Sequence, residues 1–115
     1  MNLAVVRGVL SRAPEERVLP SGDRLVAYTV TTPSAAGPAD TVPVVWFEPP
    51  RSAAALAAGD EVVAVGRIRR RFFRADGATR TSTEVVAEKV LPARQERRSA
   101  ALLTAAAERL AAVSG

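Results

Sequence analysis

The sequence predicts an all-β fold: a five-stranded Greek-key barrel with a short helix between strands 3 and 4 and an added C-terminal helix. Three observations carry this. Apolar, β-branched segments recur with Gly, Pro and Asp turn signals between them. One segment alternates with a period of two, and strong helical character begins only after Pro92. A chain of 115 residues suffices for one modest core, so the barrel is expected over residues 1–92 and the helix over residues 93–115.

The first strand is NLAVVRGVL, residues 2–10, in which Gly8 marks a bulge or a close approach of two backbones. RAPEERVLPSGD reads as a connection ending in the Pro20-Ser21-Gly22-Asp23 turn. In RLVAYTVTT, residues 24–32, Val26, Tyr28 and Val30 share one face, the pattern of a half-buried strand. PSAAGPAD is a loop. TVPVVWF, residues 41–47, is the third strand, and Pro43 suits an edge or bulge because it has no N–H to give. Its alternation puts Trp46 in the core and Phe47 outside. PPRSAAALAAG is expected to form the short helix, with Ser52 as N-cap and Gly59 at its end. DEVVAVGRIRRRFF and ATRTSTEVVAEKV then make a long hairpin about the Asp76-Gly77 turn. In the terminal segment Leu103, Ala106 or Ala107, Leu110 and Val113 recur at helical spacing, a narrow stripe for packing. Five strands with a helix between the third and fourth is the order of an OB-fold, a small barrel used for oligonucleotides and oligosaccharides.

Composition removes most chemistry. The chain has no histidine and no cysteine, so the commonest general base, the thiolate nucleophile and any disulfide are excluded. Asp60-Glu61 and Glu15-Glu16 are sequence neighbours and point to opposite sides of a strand, no acidic spacing suggests a metal cage, and there is no glycine-rich phosphate loop. No enzyme, cofactor or metal site is expected. No run of apolar residues is long enough to span a bilayer, and Arg7 interrupts the first one, which argues against a signal peptide. The expected location is the cytoplasm, with no membrane partner.

Charge points the other way, toward a polyanion. The net charge is +4, 15 of the 16 basic residues are arginine, and the isoelectric point lies near 10.9. Guanidinium forks bind phosphate bidentately and stack on rings. The segment GRIRRRFFRADG concentrates them. Along a strand side chains alternate faces, so Val62, Ala64, Gly66 and Ile68 point inward while Arg67, Arg69, Arg71 and Phe73 form one outward stripe. Arg70 and Phe72 have inward parity but lie near the tip, where Phe72 becomes an arm or subunit contact. Arg74 and Arg80 flank the turn and add phosphate contacts. Single-strand binders need a basic groove and aromatic platforms, and Phe47 supplies a second ring. An edge strand guarded by arginines explains the charges but leaves an exposed Phe73 unexplained.

These residues resemble the bacterial single-stranded DNA-binding protein family over roughly residues 2–90. The likeness rests on Asn2, RGVL at 7–10, PEERVLPSG at 14–22, VVWF at 44–47, LAAGDEVVAVGRIRRRFF at 56–73 and DGATRTSTEVVAEKV at 76–90. The resemblance implies an OB-fold assembling as a homotetramer, sometimes a dimer, with single-stranded DNA wound over its surface. It also implies stacking rings at Phe47 and Phe73 with basic support from Arg69 and Arg71. Two further positions where such proteins often stack tryptophans fall near Ala36 and at Thr41, and the loop 33–40 is shorter than usual. In place of the family's long tail with an acidic tip stands a helix, so recruitment of other proteins through that tip is not expected. The function anticipated is non-enzymatic, largely sequence-independent binding of single-stranded DNA through the arginine/phenylalanine surface, in replication, recombination or repair. The alternative is an OB-fold assembly module, primosome-like, with weak or no DNA binding.

Overall fold

Residues 1–114 are described in a computed structural model; Gly115, the last residue of the expected terminal segment, lies outside the described residues. The strands are β1 (Ala4–Leu10), β2 (Glu15–Val18), β3 (Arg24–Thr32), β4 (Asp40–Phe47), β5 (Glu61–Ala75) and β6 (Ala78–Pro92), followed by helix α1 (Glu96–Ser114). The sheet runs β1-β5-β6-β4-β3-β2, and β1 also pairs with β3. That last pairing closes β1, β5, β6, β4 and β3 into a ring of five, the expected OB-type barrel. All pairings are antiparallel except β4 with β6.

The core lies inside this ring. Val26, Val30, Val62 and Ala64 are fully buried, and Tyr28, Val44 and Trp46 are nearly so, as the period-two pattern of each strand requires. Tyr28 donates its hydroxyl to the carbonyl of Ala53 at 2.8 Å, tying β3 to the plug between β4 and β5. Burial pushes its phenol above the ordinary value of 10. The folded protein therefore keeps a proton that the unfolded chain loses above that pH, so stability falls as pH rises beyond about 10. Urea titrations between about pH 8 and about pH 11 are expected to show this loss, and Tyr28→Phe to flatten it.

Two glycines permit close backbone approach. A Cβ on Gly8 would lie 2.4 Å from the Thr31 carbonyl oxygen, at the β1–β3 closure, and one on Gly66 would lie 2.0 Å from the Val86 oxygen. Gly66 also sits at a break in register: Val65 opposes Lys89 but Gly66 opposes Ala87, leaving Glu88 as the extra residue of a bulge. A bulge bends and twists its strand. Here β5 ends its pairing with β1, β6 keeps β4 as far as Val85, and beyond that point the hairpin projects as an arm. Gly66→Ala forces backbone apart and is expected to cost about 2–3 kcal/mol, read as a lowered urea midpoint; an unchanged midpoint would mean that the bulge relaxes freely.

The structure corrects several expectations. The connection after β1 contains a strand, β2, which pairs with β3 outside the ring. Its four residues are all exposed, so no apolar alternation announces it. The short helix is a single 3₁₀ turn, Arg51–Ala54, capped by Pro50 in extended conformation with no side-chain cap. Ser52 is not its N-cap, because Pro49-Pro50 set the chain extended until just before Arg51, and Gly59 lies beyond it in a turn with φ +92°. Ile68 is 50% exposed although its parity is inward, because by that point β5 has left the barrel. Pro43 lies just before the Val44–Val45 pairing with β6, where one edge of β4 is unpaired, as expected.

α1 packs on the outer face of the β5–β6 base. Val63, Val65 and Leu91, whose parity is outward, are buried on that side. Ser99 donates to the Pro92 carbonyl at 3.2 Å, and Arg109 pairs with Glu88 of the bulge at 2.9 Å. Only the first half of the expected stripe packs: Ala106 is buried and Leu103 half-buried, whereas Ala107, Leu110 and Val113 are exposed. No described helix is long and apolar enough to cross a membrane.

Candidate nucleic-acid interface

The hairpin turn fixes everything beyond the bulge. Asp76 and Gly77 both have positive φ, 52° and 76°, which is the two-residue turn that matches strand twist. Ala75 therefore opposes Ala78, and regular pairing continues back to Gly66 opposite Ala87. The outer face of the arm carries Arg67, Arg69, Arg71 and Phe73 from β5, with Glu84, Ser82 and Arg80 opposite the last three. α1 covers the same face below the bulge. The exposed stripe thus begins at Arg67, where the covered valines end.

Phe47 joins this face from the end of β4. It opposes Leu25 of β3, and the chain stops there because Glu48 turns into left-handed backbone, φ 47°, before Pro49-Pro50. Glu48 holds the turn: its N–H donates to the Arg24 carbonyl at 2.8 Å and its carboxylate accepts from the Arg24 N–H at 2.6 Å. The guanidinium of Arg69 lies over the Phe47 ring, 5.4 Å from its centroid, and that of Arg71 lies 6.0 Å from the centroid of Phe73. Both are in cation–π range. A shallow groove of about 190 Å³ lies beside Phe47, lined also by Arg69, Arg71, Glu84, Leu25 and Arg17, and Phe73 is outside it.

The arginines fall into two groups. Arg69 is engaged by Glu84, which is 4% exposed; its Nε donates to the carboxylate at 3.0 Å, and a second guanidinium nitrogen bonds the same oxygen. Its charge is therefore spent on a buried acid and its plane is set above Phe47. Nine arginines form no ion pair among the described residues, whereas Arg7, Arg17, Arg24, Arg69, Arg94 and Arg109 do. Arg67, Arg70, Arg71, Arg74 and Arg80 of the nine lie on the arm, and Arg12, Arg51, Arg97 and Arg98 lie elsewhere. Arg80 opposes Phe73 on the outer face, while Arg74 falls on the other face with Phe72 and donates to the Gly77 carbonyl at 3.3 Å. The seven sequence-predicted residues thus divide into Phe47, Arg67, Arg69, Arg71, Phe73 and Arg80 on the outer side, and Arg74 apart.

Sequence reasoning missed Arg17 and Leu25 at the groove and the role of Glu84. Arg17 pairs with Glu15 at 2.7 Å, and the hydrogen bond and charge of Arg17 hold the Glu15 carboxyl below its usual value. The signal was faint for β2. It was present for Glu84, because a two-residue turn at Asp76-Gly77 sets Arg69 opposite it by counting alone.

A five-stranded barrel closed in this strand order is an OB-fold. The single-strand binding protein family matches residues 1–93, and the chain belongs to that family. Among solved structures it is similar to a deletion mutant of the single-stranded DNA binding protein from Thermus aquaticus, at TM-score 0.67 and 22% identity. The match covers 80% of this chain and 40% of the Thermus chain. No curated protein matches.

Proposed function

We propose that the protein binds single-stranded DNA, largely irrespective of sequence and without catalysing a reaction, through the outer face of the arm and the adjoining Phe47. The observation that carries this is the concentration on the arm of five arginines with no ion pair among the described residues, beside exposed phenylalanine. An arginine with no carboxylate partner is free for phosphate, and rings beside it accept bases of any identity. In this reading Phe47 and Phe73 stack bases, Arg67, Arg71, Arg80 and Arg74 neutralise phosphates, and Arg69 positions Phe47. Family membership supports it. Residues 1–92 carry the activity, and the helix confines the strand to the arm by covering the outward valines below. Val5 and Val9 on β1 are 46% and 40% exposed, apolar surface that association into a dimer or tetramer would bury. The setting is replication, recombination or repair in the cytoplasm.

Fluorescence titration with oligo-dT over a salt series tests this reading. Neutralising four phosphates at about −0.7 each gives a slope of log K against log salt of about −3. A slope near zero would show that the arginines take no part.

A further inference from the structure

The arm has a second face, and only Arg74 of it enters the function proposed above. Beyond Gly66 strand β5 no longer pairs with β1, and before Val85 strand β6 does not pair with β4. From Arg70 and Thr83 to the turn the arm is therefore a two-stranded ribbon, exposed on both faces except for half-buried Ala75 and Ser82. The regular register puts Ile68, Arg70, Phe72 and Arg74 on the face opposite Phe73, alongside Thr83, Thr81 and Thr79 of β6. Phe72 is 67% exposed, the most exposed ring in the chain.

We propose that single-stranded nucleic acid binds both faces of the arm, with Phe72 between Arg70 and Arg74 as a second stacking site back to back with Phe73. The inference rests on the function proposed above. Charge decides the occupant. Arg70 and Arg74 have no carboxylate partner among the described residues, and the cross-strand neighbours of the three outermost positions are threonines. A second copy docking this face on itself across a two-fold axis would bring arginine against arginine with no acid to receive it. A phosphate chain supplies the missing charge, the threonine hydroxyls donate to its oxygens, and a base covers the ring. The strand crosses between faces over either unpaired edge of the ribbon.

The test compares wild type with Phe72→Ala on oligo-dT of two lengths. One is about 8 nucleotides, within reach of a single face, and the other about 30, long enough to continue onto the second. Phe72→Ala is expected to leave the short oligonucleotide unaffected and to weaken the long one roughly tenfold; its exposure protects the fold from the change. Sedimentation of both variants accompanies the titration. Wild type binding both lengths with Phe72→Ala indistinguishable from it overturns the second face alone. A change of oligomeric mass in Phe72→Ala also overturns it, by assigning the face to a subunit contact. Wild type binding neither length overturns the proposed function along with it.

Discussion

Phe73→Ala is expected to weaken oligo-dT binding by about 1–3 kcal/mol, or about 5- to 150-fold, and to do so equally on oligo-dC and mixed sequences. The reason is geometric. Phe73 is 38% exposed, has Arg71 beside its ring, and lies near the tip of the arm, outside the barrel core. Its removal deletes a platform without opening a cavity. Phe47→Ala is expected to lose a similar amount of affinity, with some stability as well, because Phe47 is half-buried against β3. A loss confined to one base composition would contradict stacking and point to hydrogen-bonded readout instead.

The second large effect separates two arginines that look alike in sequence. Arg69→Ala leaves Glu84 buried without its cation. A fully buried pair broken this way costs about 3–5 kcal/mol. Arg69 is 39% exposed in its side chain, so solvent screening brings the expected loss to about 2 kcal/mol. Arg71→Ala breaks no ion pair and is expected to leave the urea midpoint unchanged within about 0.5 kcal/mol. The binding readouts reverse. Arg71→Ala lowers the salt slope by about 0.7, one phosphate, while Arg69→Ala keeps the slope and weakens binding only through the disordered Phe47 ring. Restoring stability in Arg69→Ala by adding Glu84→Leu confirms the pair as structural.

Much of this was legible in the residues. The alternation in RLVAYTVTT placed Val26, Tyr28 and Val30 inward, and the D-G turn fixed the arm's register. From those two the outer stripe of Arg67, Arg69, Arg71 and Phe73 follows by counting. The parity rule failed at both ends of β5 for one physical reason: it assumes one buried face throughout. At Val62–Val65 both faces are buried, since α1 covers the side the rule calls outward. The unbroken run VVAV is itself the mark of a strand buried on both sides. At Ile68 the inward side chain is exposed, because β5 has lost β1 as a neighbour there, although Val85 across from it on β6 is still buried in the core. β2 was not legible at all: Glu15, Glu16, Arg17 and Val18 are all exposed, and pairing with β3 rather than burial holds them.

The most direct test of the central claim is competition between oligo-dT and a duplex of equal length for the wild-type protein at one fixed salt concentration. Both present phosphates to the arginines, but only the single strand presents base faces to Phe47 and Phe73. Preference for oligo-dT of at least about a hundredfold is expected. Equal or tighter binding of the duplex would show that charge alone is being read, and would contradict it.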